Sequence, residues 1–312
     1  MGRNQLIEDV REVLGKTGFF LSDKTESRGL SFDIVARRDD QLILVKVLQN
    51  VDALSRANAE ELRMLATTLN GSPIVVGERS SGGGLEEGVI YSRFGVPIVS
   101  KQTFVEMFEE GVPPFMFSAP GGLYVRIDSE ALRAARAARG ISLGTLAEIA
   151  GVSRRAIQMY MEGMSATVEV AVRLEEFLGE SLVLPVDPFA YTRETGEVLR
   201  SFEAFESFER NVFRKLQSLG YSVLPTVKCP FDALTTRDTL FLTAVPTKGE
   251  RIADKARVVS NISAVVERDA VLFVEVHTST QSIDGTPLIQ KSELRRIRDR
   301  DEIEDLIAER RK

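Results

Sequence analysis

The chain has 312 residues, 43% of them hydrophobic and 28% charged, and carries a net charge of −6 with a pI near 5.2. This is a globular composition with room for two or three domains, and its acidity excludes a protein that coats nucleic acid through bulk positive charge. One cysteine, Cys229, excludes an internal disulfide, and with His277 as the single histidine the composition argues against a zinc site of His and Cys and against a Cys/His catalytic pair.

No apolar run approaches membrane-spanning length, and Glu8 and Asp9 stand where a signal peptide would be apolar. A cytoplasmic protein without a membrane partner, metal or cofactor is the expectation. Leu6, Val10, Val13 and Leu14 fall on one face of a helix predicted over 6–18. Gly15-Lys16-Thr17 has the ending of a phosphate-binding loop, but Val10 occupies the place of its first glycine. A strand is expected at 19–21, and two more at 31–36 and 41–48, joined by the turn Arg37-Arg38-Asp39-Asp40. The second of these is apolar nearly throughout, as in a strand covered on both faces. A helix at 55–70, a strand at 73–77, a glycine-rich loop at 80–84, a strand at 95–100 and a helix at 101–110 follow. Residues 111–122, dense in proline and glycine, read as a linker.

Two short helices then fit with almost no room between them. Ser142 is placed to cap the first, Leu146, Ile149 and Ala150 recur along one side, and Gly151 lets the chain leave it. Val152 fills the gap, Ser153 caps the second helix, Ile157 and Tyr160 turn inward, and small Ala147 allows a close crossing. This is a helix-turn-helix, and it leaves Arg154, Arg155, Gln158 and Met159 outward beside Ser153, at the end that reaches base edges in a major groove. Arginine forks onto guanine, glutamine onto adenine, and methionine meets a thymine methyl. Arg133 and Arg136 on an upstream alanine-rich helix are candidate phosphate contacts. Between Arg126 and Gly163 six arginines face four acids, a local basic surplus in an acidic chain.

The unit Leu132-x-x-x-Arg136-x-x-x-Gly140-Ile141-Ser142, with Leu146-Ala147-x-x-Ala150-Gly151-Val152-Ser153 and Ile157-x-x-Tyr160-x-x-Gly163, resembles the Cro/CI repressor type of DNA-binding domain over about residues 126–180. A second boundary follows at 184–188, and the chain then repeats its beginning. Val212, Leu216 and Gly220 stand at the offsets of Val10, Leu14 and Gly18, Phe231-Asp232 matches Phe32-Asp33, and residues 240–245 match 42–47 after one deletion. Residues 285–291 answer 95–101. The tail 293–312 alternates charges and reads as a solvated helix.

The order of elements in both copies resembles the restriction-endonuclease-like fold, which includes archaeal Holliday-junction resolvases. The resemblance implies an Asp on one strand, then an acid and a Lys two apart on the next, holding a divalent cation that activates water. Asp33 and Lys46 fill two of these places, but Leu44 takes that of the second acid; beside Asp232 stand Leu242 and Ala244. The expectation is therefore an α/β plus all-α chain. Two degenerate endonuclease-like domains related by internal repeat (1–115 and 190–312) flank a helix-turn-helix domain (123–181).

The whole resembles archaeal HTH-type transcriptional regulators. That implies a sequence-specific binder of double-stranded DNA with no catalytic residues and no enzyme activity. A structure-specific nuclease or junction-binding protein, or a protein-docking adaptor, are the alternatives. With one reader per chain, a homodimer through the α/β copies is expected, against the possibility that the copies pair within the chain. The sequence names no effector ligand.

Overall fold

The computed structural model describes residues 2–24, 29–191, 202–299 and 301–311. The first stretch runs α1 (Arg3–Lys16), β1 (Phe20–Leu21), β2 (Ile34–Arg38), β3 (Gln41–Asn50), α2 (Arg56–Thr68), β4 (Ser72–Ser80), β5 (Gly83–Gly84), β6 (Val89–Arg93), β7 (Val96–Ser100) and α3 (Lys101–Val105). Next come β8 (Met116–Ala119), β9 (Gly122–Ile127), α4 (Ser129–Ala138), α5 (Leu143–Ala150), α6 (Arg154–Met161), β10 (Ala166–Thr167), α7 (Val168–Leu178) and β11 (Val183–Leu184). The last stretch holds α8 (Ser207–Ser218), β12 (Ser222–Pro225), β13 (Ala233–Thr236), β14 (Leu240–Ala244), α9 (Ile252–Val266), β15 (Asp269–Val274), β16 (Ser282–Ile283), β17 (Thr286–Gln290), α10 (Lys291–Arg296) and α11 (Asp301–Arg310). No described helix is long and apolar enough to cross a membrane.

The repeat read from the sequence is present in the backbone. The strand orders are β1-β2-β3-β4-β7-β6 and β12-β13-β14-β15-β17-β16, antiparallel at the start, parallel where β4 meets β7 and β15 meets β17, and closed by an antiparallel strand. Asp33 donates its amide to Val45 O, and Asp232 donates its own to Thr243 O, both at 2.8 Å. The two aspartates therefore hold the same place, and the one-residue deletion lies in the hairpin between.

By density of contacts the chain forms two compact units. The first comprises Met1–Thr17, Val47–Leu54 and Ile74–Thr192. Here α1 buries Leu6, Val10 and Leu14, as its spacing predicts, and packs on α3. The stretch 111–122 is a correction: it contains β8 and the start of the hairpin to β9. Strand β8 runs parallel to β6, while β9 takes β10 and β11 along its length. Its prolines and glycines only bracket the strand. Val125 and Ile127 of β9 enter the core of the helical domain. The 80–84 loop is likewise a tight turn between β4 and β5, and β6 is a strand the sequence reading missed.

The second unit comprises Gly18–Lys46, Ser55–Pro73 and Arg193–Lys312, of which 193–201 lie outside the described residues. Segments of the first copy pack here on the second, so the copies meet within one chain. Arg37 donates to the carbonyls of Val265 (2.8 Å) and Val266 (3.1 Å) at the end of α9. Ser31 donates its amide to Lys228 O (2.8 Å). Glu61, 2% exposed on α2, accepts from the Ser31 hydroxyl, from Val227 N at 2.6 Å and from Lys228 N at 3.2 Å. The tail corrects the solvated-helix reading. Ile303 and Ile307 of α11 are buried four residues apart in the same core as Phe213 and Phe273, and Arg310 pairs with Glu293 at 2.6 Å.

Candidate nucleic-acid interface

The helix-turn-helix is held by the groups its sequence nominates. The hydroxyl oxygen of Ser142 accepts from Thr145 N and that of Ser153 from Ala156 N, each at 3.1 Å, which satisfies one of the orphan amides opening α5 and α6. Leu146, Ala150 and Ile157 are fully buried, and Ala147 and Tyr160 nearly so. Ile149 departs from the expectation and stays 37% exposed. Gly151 leaves α5 with φ +70°, and a Cβ there would lie 2.7 Å from the Arg173 guanidinium, which donates to Ala150 O at 3.2 Å. The left-handed backbone requires glycine here, and a Cβ would in addition push the mobile end of Arg173 aside.

Ser153 at the N-cap and Arg154, Arg155, Gln158 and Met159 on α6 are all exposed. Among the described residues, neither Arg154 nor Arg155 donates to a protein acceptor. Arg154 lies back over Gly144 of α5, its guanidinium 3.1 Å from where a Cβ would stand. Sequence reasoning missed this rest, because it depends on an atom that glycine lacks. The two upstream arginines are placed differently. Arg133 donates to Met161 O, at the C-terminal end of α6 where cations complement the helix dipole, about 10 Å of helix from Arg154. Arg136 is half-buried, its Nε without an acceptor among the described residues.

In the α/β copies, Lys46 Nζ lies 3.4 Å from Asp33 with both side chains under a tenth exposed, and it also donates to Leu30 O. Leu44 is fully buried between them in sequence and offers no oxygen. In the second copy Ala244 sits where the lysine belongs, but Lys255 of α9 reaches Asp232 at 3.1 Å. A lysine is thus restored from a helix 11 residues further on. Lys255 is 3.9 Å from Glu250, on the wall of a cavity of about 540 Å³ that Glu206, Glu209 and Glu275 also line. Lys248 also lines this cavity, so its wall carries charges of both signs. His277 shares a hydrogen bond with Gln290 at 2.7 Å, as an ordinary polar residue does.

Burial, and next the charge of Asp232, push the Glu209 carboxyl up from its ordinary 4.5 to about 7. The folded chain then keeps a proton that the unfolded chain releases. The stability from this group is complete below pH 4.5 and is lost as pH rises towards 7. Glu209→Gln, whose amide oxygen still accepts from Glu206 N, should flatten that slope and raise the urea midpoint at pH 8 relative to the parent. Midpoints that shift equally at pH 5 and pH 8 would contradict the assignment.

Residues 3–114 match the PD-(D/E)XK superfamily domain, and residues 132–184 the helix-turn-helix family. A protein of Methanocella arvoryzae named "Putative HTH-type transcriptional regulatory protein" is 38% identical, over 99% of this chain and 97% of its own. Like-named proteins of Natronomonas pharaonis (39% identical, 99% of both chains) and Methanosarcina barkeri (37%, 100% of this chain and 98% of the other) align as fully. No solved structure matches. With 37–39% identity to these proteins over nearly the whole length of both chains, the chain belongs to the family of archaeal HTH-type transcriptional regulatory proteins.

Proposed function

We propose that the chain is a cytoplasmic regulator that reads duplex DNA with α6 in the major groove, and that its endonuclease-like copies are scaffold rather than enzyme. The carrying observation is the outward set on α6, Arg154 and Arg155 without protein acceptors beside Gln158 and Met159, over a fully buried inner face. Arg154 and Arg155 fork onto bases; Arg133, with N–H groups beyond the one on Met161 O, and Arg136 meet phosphates. The test selects bound sequences from a random duplex pool. On the selected site, Arg154→Ala or Arg155→Ala should cost about 1–3 kcal/mol and relax preference at one base position. Arg133→Ala should weaken all sequences alike and flatten the salt dependence. A binding curve indifferent to the Arg154/Arg155 double change would sink the groove assignment.

One reader covers a short half-site, so we also propose a homodimer with half-sites about one helical turn apart. The mass of the complex on the selected duplex should correspond to two chains. The second reading, a structure-specific nuclease or junction-binding protein, is favoured by the superfamily match of residues 3–114 and by the retained Asp33 and Lys46. Leu44 weighs against it, since a cation held by one carboxylate lacks ligands.

A further inference from the structure

The first unit carries a second cavity, half open to solvent and of about 310 Å³, at the low end of small-ligand sites, with Arg126 and Asp187 exposed at its rim. Four pieces of chain meet around it. Strand β6 brings Ile90, the hairpin brings Phe117 and Arg126, the turn between α6 and β10 brings Ser165, and the segment after β11 brings Val186 and Asp187. The wall is mostly apolar, with hydroxyls and one charge of each sign. Among the described residues the Arg126 side chain makes no hydrogen bond or ion pair. Asp187 uses one oxygen, Oδ1, on Phe189 N at 2.8 Å, and the two charges do not pair with each other.

We propose that this cavity binds a free α-amino acid with an apolar side chain. Arg126 takes the carboxylate, Asp187 takes the ammonium, and the side chain lies against Ile90, Phe117 and Val186. A simple organic anion would leave Asp187 facing it, and a simple amine would leave Arg126 facing it; only a zwitterion answers both charges at once. The apolar wall gains by covering a hydrocarbon side chain rather than water.

The position gives the ligand a reader to act on. Ser165 immediately precedes Ala166, which pairs with Val125 of β9, and it lies in the turn by which the chain leaves α6. A ligand held there more tightly in one setting of that turn shifts the population of the recognition helix. Calling it an effector rests on the DNA-binding reading, whereas its binding does not.

The full chain, without DNA, is titrated calorimetrically with L-phenylalanine, L-leucine and L-methionine, and with 2-phenylethylamine and 3-phenylpropionate, which lack the carboxylate and the ammonium respectively. At least one amino acid should saturate, and both analogues should bind at least about tenfold more weakly than L-phenylalanine. Arg126→Ala should weaken binding by a similar factor. So should Asp187→Asn, which keeps the acceptor for Phe189 N and removes only the charge, with unchanged circular dichroism confirming both folds. No saturation by any of the three amino acids up to about 1 mM would overturn the proposal. So would binding indifferent to both variants, or 3-phenylpropionate binding as tightly as L-phenylalanine. Because no DNA is present, a failed titration leaves the DNA result standing, and the reverse.

Discussion

Replacing Glu61 with alanine should lower the stability of the fold by about 3–5 kcal/mol, far more than a typical surface change. Its carboxylate is 2% exposed and collects the Ser31 hydroxyl and the amides of Val227 and Lys228. Each donor left without an acceptor costs about 1–3 kcal/mol. An apolar truncation gives little back, because two of the three donors are backbone amides that cannot be redirected. Glu61→Gln, which keeps one strong acceptor, should lose roughly half as much. For contrast, Lys16→Ala removes an ion pair whose side chains are both more than half exposed, and it should change stability hardly at all. Urea midpoints at constant slope are the measurement. A loss for Glu61→Ala below about 1 kcal/mol would show that the amides find other partners.

Lys46→Met should cost about as much, roughly 3–5 kcal/mol, because it removes the cation that pairs with the Asp33 carboxylate in a site under a tenth exposed. Changing both residues to apolar ones of similar volume should recover most of the loss, since the pair's desolvation disappears with it. If the double change were as costly as the single, the pair would have to be adding net stability. The same two positions decide whether the copy is a scaffold. Purified protein with magnesium or manganese should leave duplex, single-stranded and four-way-junction DNA intact. Metal-dependent product that vanishes in folded Asp33→Asn and in folded Lys46→Gln would overturn the scaffold reading.

What the sequence made legible was local. Ser142, Leu146, Ala147, Gly151, Ser153, Ile157 and Tyr160 lie within 19 residues, and each acts on neighbours three or four positions away, so caps and crossings follow from spacing. The repeat was legible because offsets survive where identities do not: Asp232 sits at the place of Asp33. What was hidden depends on distant chain. Strand β8 is bracketed by proline and glycine and becomes a strand because β6 on one side and β9 on the other both pair with it. The tail announces itself by charge, and the burial of Ile303 and Ile307 becomes apparent only against a sheet formed earlier in the chain. No spacing rule carries Lys255 to Asp232 from a following helix, or the Arg133 guanidinium to Met161 O rather than into open solvent.

The partners of Glu61 bear on how the chain is made. Its acceptor oxygens wait for amides 166 and 167 residues downstream, and Arg37 waits for carbonyls 228 and 229 residues away. At ribosomal rates of about 5–20 residues per second, roughly 8–33 s pass between the synthesis of α2 and the arrival of its donors. Over that interval the helical domain, whose contacts are short in sequence, has time to close, while Glu61 and Arg37 remain without these downstream partners. A message cut after the helix-turn-helix therefore yields a reader attached to a complete N-terminal sheet in which Glu61 and Arg37 lack these partners.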